Sequence, residues 1–151
     1  MDLKVDLDVR DFEQELPVLE KAPGYVIAVA GGKGGSGKSF LSVNLAVYFA
    51  SQGAQVVLID ADLAGANLHT CLGLPRPTQT LSDFVNRKVE HLADVIVSTD
   101  YKGLEFISGA ARSRRLDNPD FIQKSRLLRG ILELRVDVVV LDLGAGTAFN
   151  V

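Results

Sequence analysis

The chain has 151 residues, 47% of them hydrophobic and 23% charged, with a formal net charge of −3. That length suffices for one domain with a real core, the composition is that of an ordinary globular protein, and the acidic balance argues against bulk attraction of nucleic acid. A single cysteine, Cys71, excludes an internal disulfide and a paired-cysteine metal site. No apolar run reaches spanning length, and the N-terminus lacks the basic-then-apolar order of a secretory signal. A reducing, cytoplasmic setting is the expectation.

Residues 1–23 stand apart from the rest. Leu3, Val5, Leu7 and Val9 alternate with Lys4, Asp6, Asp8 and Arg10, the period of a half-buried strand. The stretch from Asp11 to Glu20 is acidic, with Pro17 and Pro23 as interruptions. A mobile leader is the simpler reading; an edge strand or a partner-binding tail is the alternative. The segment is too acidic to anchor on an anionic membrane.

Residues 24–151 read as one domain. Tyr25 to Ala30 is apolar nearly throughout, as expected for a strand covered on both faces. Gly32-Lys33-Gly34-Gly35-Ser36-Gly37-Lys38-Ser39 follows and satisfies G-x-x-x-x-G-K-[ST], the phosphate-binding loop, in its required context of strand before and helix after. Glycines 34, 35 and 37 let the backbone bend through positive φ and bring its N–H groups to a ligand. Those groups form an anion nest at a helix N-terminus. The candidate phosphate contacts are Gly34, Gly35, Ser36, Gly37, Lys38, Ser39 and Phe40. Lys38 suits the β- and γ-phosphates, and the Ser39 hydroxyl suits Mg²⁺. The helix from Phe40 to Ala50 carries Leu41, Leu45, Tyr48 and Phe49 on one stripe and Val43, Val47 and Ala50 on its neighbour, which predicts deep packing against a sheet. Gly53 suits a left-handed cap.

A second strand, Gln55 to Ile59, runs into Asp60-Ala61-Asp62. Carboxylates at the C-terminal end of a parallel strand face the ligand edge of such a sheet, and residues two apart in an extended chain share a side. A turn with solvated acids is the competing reading. His69 reads as structural more readily than as a general base, and Cys71 as a small packed hydrophobe. Thr80-Leu81-Ser82-Asp83 has the capping-box pattern, with Phe84 and Val85 inward. His91 to Val97 is a short helix or an irregular segment, and Leu104 to Ile107 is a third strand. Arg112, Arg114 and Arg115, with Lys124, Arg126 and Arg129 beyond, read as a solvated basic face or as a contact for an acidic partner, phosphate or lipid. Asn118-Pro119 suggests a helix start with Asn118 as cap and Phe121, Ile122, Leu128, Ile131 and Leu132 as its core face. Val136 to Leu141 is a fourth strand closed by Asp142, the Walker B arrangement.

Lys33 is a second lysine inside the loop, giving K-G-G-x-G-K-S. Together with Asp60-Ala61-Asp62, Ala66-Asn67-Leu68, Leu81-Ser82-Asp83-Phe84, Asp142 and Leu143-Gly144-Ala145-Gly146, it resembles the deviant phosphate loop, switch I, Walker B and switch II of the MinD/ParA family of ATPases. The resemblance implies a P-loop fold of the SIMIBI type: a parallel α/β sheet with helices on both faces. It implies ATP and Mg²⁺ as ligands, with Ser39, Asp60 and Asp142 around the metal and Asp62 activating the water. Lys33 would reach across a nucleotide-dependent homodimer. Asn67 would sit near the nucleotide, and the switch II glycine, Gly144, would sense the γ-phosphate. In that family switch II lies mid-domain, so the chain looks like an N-terminal half; a missing half would supply further strands, the base-recognition segment and, in MinD-like members, an amphipathic membrane helix. A nitrogenase-iron-protein-like reductase would need a pair of cluster cysteines that this sequence lacks. The expected function is slow ATP hydrolysis that switches a dimer, with a protein partner, in the MinD/FlhG-like branch that places division or flagellar machinery. A nucleotide-binding interaction module without useful hydrolysis, a ParA-like DNA-segregation ATPase and an ATP-dependent ligase of the dethiobiotin-synthetase kind are the alternatives.

Overall fold

The computed structural model describes residues 22–62, 67–109 and 119–145. Residues 1–21, Leu63–Ala66, Arg112, Arg114, Arg115, Asn118 and Gly146 lie outside the described residues, and with them most of the leader and part of both switch segments.

The sheet is built from β1 (Tyr25–Gly31), β2 (Val56–Asp60), β3 (Val97–Ser98), β4 (Leu104–Ile107) and β5 (Val138–Ala145), in the order β1-β5-β2-β4-β3. The pairs β1–β5, β5–β2 and β2–β4 are parallel. The two-residue β3 runs antiparallel to β4, too short to leave a period in the sequence. Helix α1 (Lys38–Ser51) covers one face, where Ala46 and Ala50 pack with Leu58, Phe106 and Val140. The short helix α2 (Leu68–Cys71) follows β2, and its Leu68 joins the same cluster. Helices α3 (Leu81–Val85) and α4 (Phe121–Glu133), with a 3-10 turn at Leu92–Val95, cover the other face, where Phe84, Leu92, Leu127 and Ile131 meet Val57, Ile59 and Val139. The mostly parallel sheet with helices on both faces is therefore present as expected. Each large side chain buried this way is worth about 1.5–3 kcal/mol relative to exposure, which is why β2, buried at all five residues, is the centre of the domain.

Four local expectations change. First, among the described residues β1 stands at the edge of the sheet rather than covered on both faces: Tyr25 is 73% exposed and Val26 and Ala28 also face solvent. Strand order is a non-local property that an apolar run cannot reveal. Second, α1 approaches the sheet through small residues one turn apart, Ser42, Ala46 and Ala50. Leu41 and Tyr48 stay exposed, while Val43, Leu45, Val47 and Phe49 are partly buried against the same cluster. Third, α4 begins after Asp120. The Asp120 carboxylate accepts from the Gln123 N–H at 2.8 Å, and the Gln123 amide oxygen accepts from the Asp120 N–H at 2.9 Å. This reciprocal cap satisfies two orphan donors and places the start two residues beyond Asn118. Its core face is Leu127, Gly130 and Ile131, whereas Phe121, Ile122 and Leu128 are exposed. Fourth, β5 continues through Asp142 to Ala145 rather than ending before it.

Arg126 is not part of a solvated basic face. Its Nε donates to the Phe84 carbonyl, and its Nη2 donates to the carbonyls of Val89 and Glu90, each at 2.9 Å. The guanidinium lies 4.4 Å from the Phe84 ring centroid. The residue staples α4 to the end of α3 and to the turn beyond it, sharing the Phe84 carbonyl with the Arg87 N–H at 3.0 Å and supplying a donor to the carbonyls of Val89 and Glu90. Among the described residues no helix is long and apolar enough to cross a membrane.

Candidate functional site

The loop between β1 and α1 turns on two glycines in left-handed conformation, Gly35 at φ 73° and Gly37 at φ 86°. Side chains with a Cβ rarely adopt these values. Gly34 does not have positive φ, so only two of the three expected bends occur. Gly37 is the residue before α1, which places the loop at that helix's N-terminus. The Lys33 carbonyl accepts from the Ser36 hydroxyl at 3.1 Å and from the Lys38 ammonium at 3.2 Å. The loop is thus closed on itself, with Lys38 drawn back across it.

A cavity of about 250 Å³ opens beside the loop, lined by Gly34, Gly35, Lys38, Ser39, Asp60, Asp62, Asn67, Thr70, Cys71, Asp142 and Leu143. Eight of the sequence-named candidates therefore meet at one place. The others do not line it: Lys33 and Ser36 are exposed on the loop, and the Phe40 side chain, 74% exposed, points to solvent. Gly144 lies on β5 two residues beyond Asp142. Cys71 is exposed on the cavity wall rather than packed in the core. His69 is buried with Nδ1 unpaired among the described residues; burial lowers its pKa, with Arg76 adding to the effect, and the residue does not line the cavity. A larger groove of about 520 Å³ between α3 and α4 contains none of the loop residues.

Topology brings the two central carboxylates together. Asp60 and Asp142 are register partners on the adjacent strands β2 and β5. They are 1% and 3% exposed. Asp60 Oδ1 accepts from the Asp62 N–H at 3.2 Å and Oδ2 from the Leu68 N–H at 3.1 Å. Burial pushes its carboxyl up to about 7 and the neighbouring Asp142 pushes the same way, while the N–H groups of Leu68 and Asp62 pull it back. Asp142 Oδ1 accepts from the Ser42 hydroxyl at 3.0 Å. Sequence reasoning missed Ser42: its partner is a hundred positions away, and the available signal was a polar residue among the helix's apolar ones, which needs a partner when buried.

Among the described residues neither Asp60 nor Asp142 forms an ion pair. Two desolvated carboxylates side by side, with the Ser39 hydroxyl on the same cavity, fit a hard divalent cation. Among the described residues no group of three or more His, Cys, Asp or Glu side chains could hold a metal alone. The donor set therefore matches Mg²⁺ bound jointly with phosphate and water, the usual way this ion is held.

Comparison with known proteins agrees with this geometry. A ParA-family model, described as NUBPL iron-transfer P-loop NTPase, matches residues 23–148. The chain is 37% identical over 131 residues to the antiactivator FleN of Pseudomonas aeruginosa, covering 85% of this chain and 46% of that one. It is 31% identical over 144 residues to an iron-sulfur cluster carrier protein of Aquifex aeolicus, covering 89% and 37%. Its fold is similar to that of the septum site-determining protein MinD of Pyrococcus horikoshii solved with Mg-ADP, at a TM-score of 0.63 and 26% identity over 81% of this chain and 49% of that one. The chain thus spans about half the length of these relatives, or less. A phosphate loop facing paired strand-end carboxylates, on a sheet of this order and with this family match, makes the chain a member of the ParA family of P-loop NTPases.

Proposed function

We propose that the chain binds Mg²⁺-ATP and hydrolyses it slowly as a nucleotide-dependent dimerisation switch of the MinD/ParA kind. The observation that carries this reading is one cavity shared by the phosphate loop and the buried Asp60–Asp142 pair. In this reading the loop N–H groups and Lys38 hold the phosphates, and Ser39, Asp60 and Asp142 hold the magnesium ion. That ion, when bound, neutralises phosphate charge. Asp62, on the same cavity wall, orients the attacking water. Lys33, exposed at the loop, completes the site of a second copy. We assign it a protein partner and a role in placing division or flagellar machinery; similarity to the septum site-determining protein MinD and to the MinD of a MinC:MinD cell division complex of Aquifex aeolicus supports the division side of that reading.

Phosphate release by the 151-residue chain, measured at several protein concentrations with Mg-ATP and with Mg-GTP, tests this. Turnover per chain that rises with concentration and vanishes in both Lys38→Ala and Asp62→Ala is expected. Tight Mg-ATP binding without turnover in the unaltered chain replaces the switch by a nucleotide-binding interaction module. Absence of binding to either nucleotide refutes both.

A further inference from the structure

Ser42 sits on α1 one turn beyond Lys38 and is fully buried. Its Oγ lies 3.0 Å from Asp142 Oδ1 and 3.0 Å from the Lys38 carbonyl. A hydroxyl has one proton, so it serves one of these acceptors at a time. The helical carbonyl already belongs to an intrahelical ladder: serine back-bonding to the carbonyl four residues earlier adds little there and tends to bend a helix. Asp142 Oδ1, by contrast, is a buried acceptor whose side-chain donor among the described residues is Ser42, and a buried acceptor left without a donor costs about 1–3 kcal/mol. The hydroxyl therefore belongs to Asp142.

We propose that Ser42 is the positioning residue for Asp142: it fixes one carboxylate oxygen and so leaves the other set for the magnesium-bearing form of the nucleotide. The claim rests on the nucleotide-binding reading above and deepens it. Three features support it. Residues three and four apart on a helix share a face, so Ser39, the candidate metal hydroxyl, and Ser42 descend the same side of α1. Rotation of a buried carboxylate needs room and a competing donor. Among the described residues Ser42 is the side chain that donates to Asp142. Finally, the hydrogen bond joins the phosphate-loop helix directly to β5, so that loop and carboxylate move as a unit.

The test measures the affinity of a fluorescent ATP analogue twice, in Mg²⁺ and in EDTA, for the unaltered chain, Ser42→Ala, Ser42→Thr and Asp142→Asn. The readout is the ratio of the two affinities, which a general loss of packing does not change. Ser42→Ala is expected to lower that ratio about tenfold. Ser42→Thr, which keeps the hydroxyl, should recover it to within about threefold. In the Asp142→Asn background Ser42→Ala should have no further effect on the ratio. An unchanged ratio in Ser42→Ala, or a further loss in the Asp142→Asn background, overturns the proposal. If Ser42→Ala does not fold, Ser42→Thr decides: a ratio lowered as far as in Asp142→Asn refutes it. A magnesium-independent affinity in the unaltered chain is a different failure, that of the magnesium site itself.

Discussion

Asp60→Asn should stabilise the ligand-free chain at alkaline pH and not at acid pH. Asp60 is 1% exposed, so solvent does little to screen it. Its carboxyl is raised from 3.8 to about 7, by burial first and Asp142 next. Between those two values the folded chain keeps a proton that the unfolded chain releases. Stability therefore falls as pH climbs through that window, because the folded state binds more protons. The rise corresponds to about 4 kcal/mol once both states are ionised near pH 8, with about 2 kcal/mol of it already in place at pH 5. Asparagine removes this penalty but has one acceptor oxygen where the carboxylate serves both Leu68 and Asp62, which costs about 1–2 kcal/mol at every pH. Near parity at pH 5 and an advantage of about 2–3 kcal/mol for the variant at pH 8 are the net expectation. Urea unfolding in EDTA without nucleotide measures it, with equal m-values confirming that both chains unfold alike. A stability difference that is the same at pH 5 and pH 8 would refute the reasoning.

Four further outcomes follow from the geometry. Gly130→Ala should destabilise by about 1–2 kcal/mol in urea: the new Cβ would stand 2.7 Å from Phe84 Cζ and 3.1 Å from Leu92 Cβ, and overpacking outweighs the helix-propensity gain of about 1 kcal/mol. Arg126→Met should cost about 1–2 kcal/mol in the same assay, because the carbonyls of Val89 and Glu90 lose the guanidinium donor while that of Phe84 keeps the Arg87 N–H. The thiol of Cys71, exposed on the cavity wall, should react with a colorimetric disulfide reagent more slowly when Mg-ATP is present, and equally fast with or without it in Lys38→Ala. Val26→Lys should reduce self-association of the 151-residue chain in sedimentation velocity without lowering its stability, since charge on an exposed edge strand opposes edge-to-edge pairing.

Legibility in the sequence tracked locality. The phosphate loop is written in consecutive residues, and each of its bends answers to a glycine, so Gly35 and Gly37 could be read directly. Asp60 and Asp142 were visible because a carboxylate closing an apolar strand is a local signature; their pairing was not, since it needs β2 and β5 to be neighbours in register. The same non-locality hid Ser42, the edge position of β1 and the staple made by Arg126. The face of α4 misled for another reason. Phe121 and Ile122 are apolar and exposed, while Gly130, which has no side chain to signal anything, is buried against Phe84 so closely that an added Cβ would stand 2.7 Å from its Cζ.

The pairing of Val56 to Asp60 with Val138 to Asp142 admits no neighbouring alternative. Side chains alternate faces along a strand, so sliding β2 past β5 by a single position would turn Leu58 and Ile59 each toward the wrong helix layer and set Asp60 beside Leu141 or Leu143. The span between the two acids is consequently guarded by the same oily contacts that hold the domain together. Mutational drift can reshape the surrounding loops freely, but it cannot alter that span without first melting the protein.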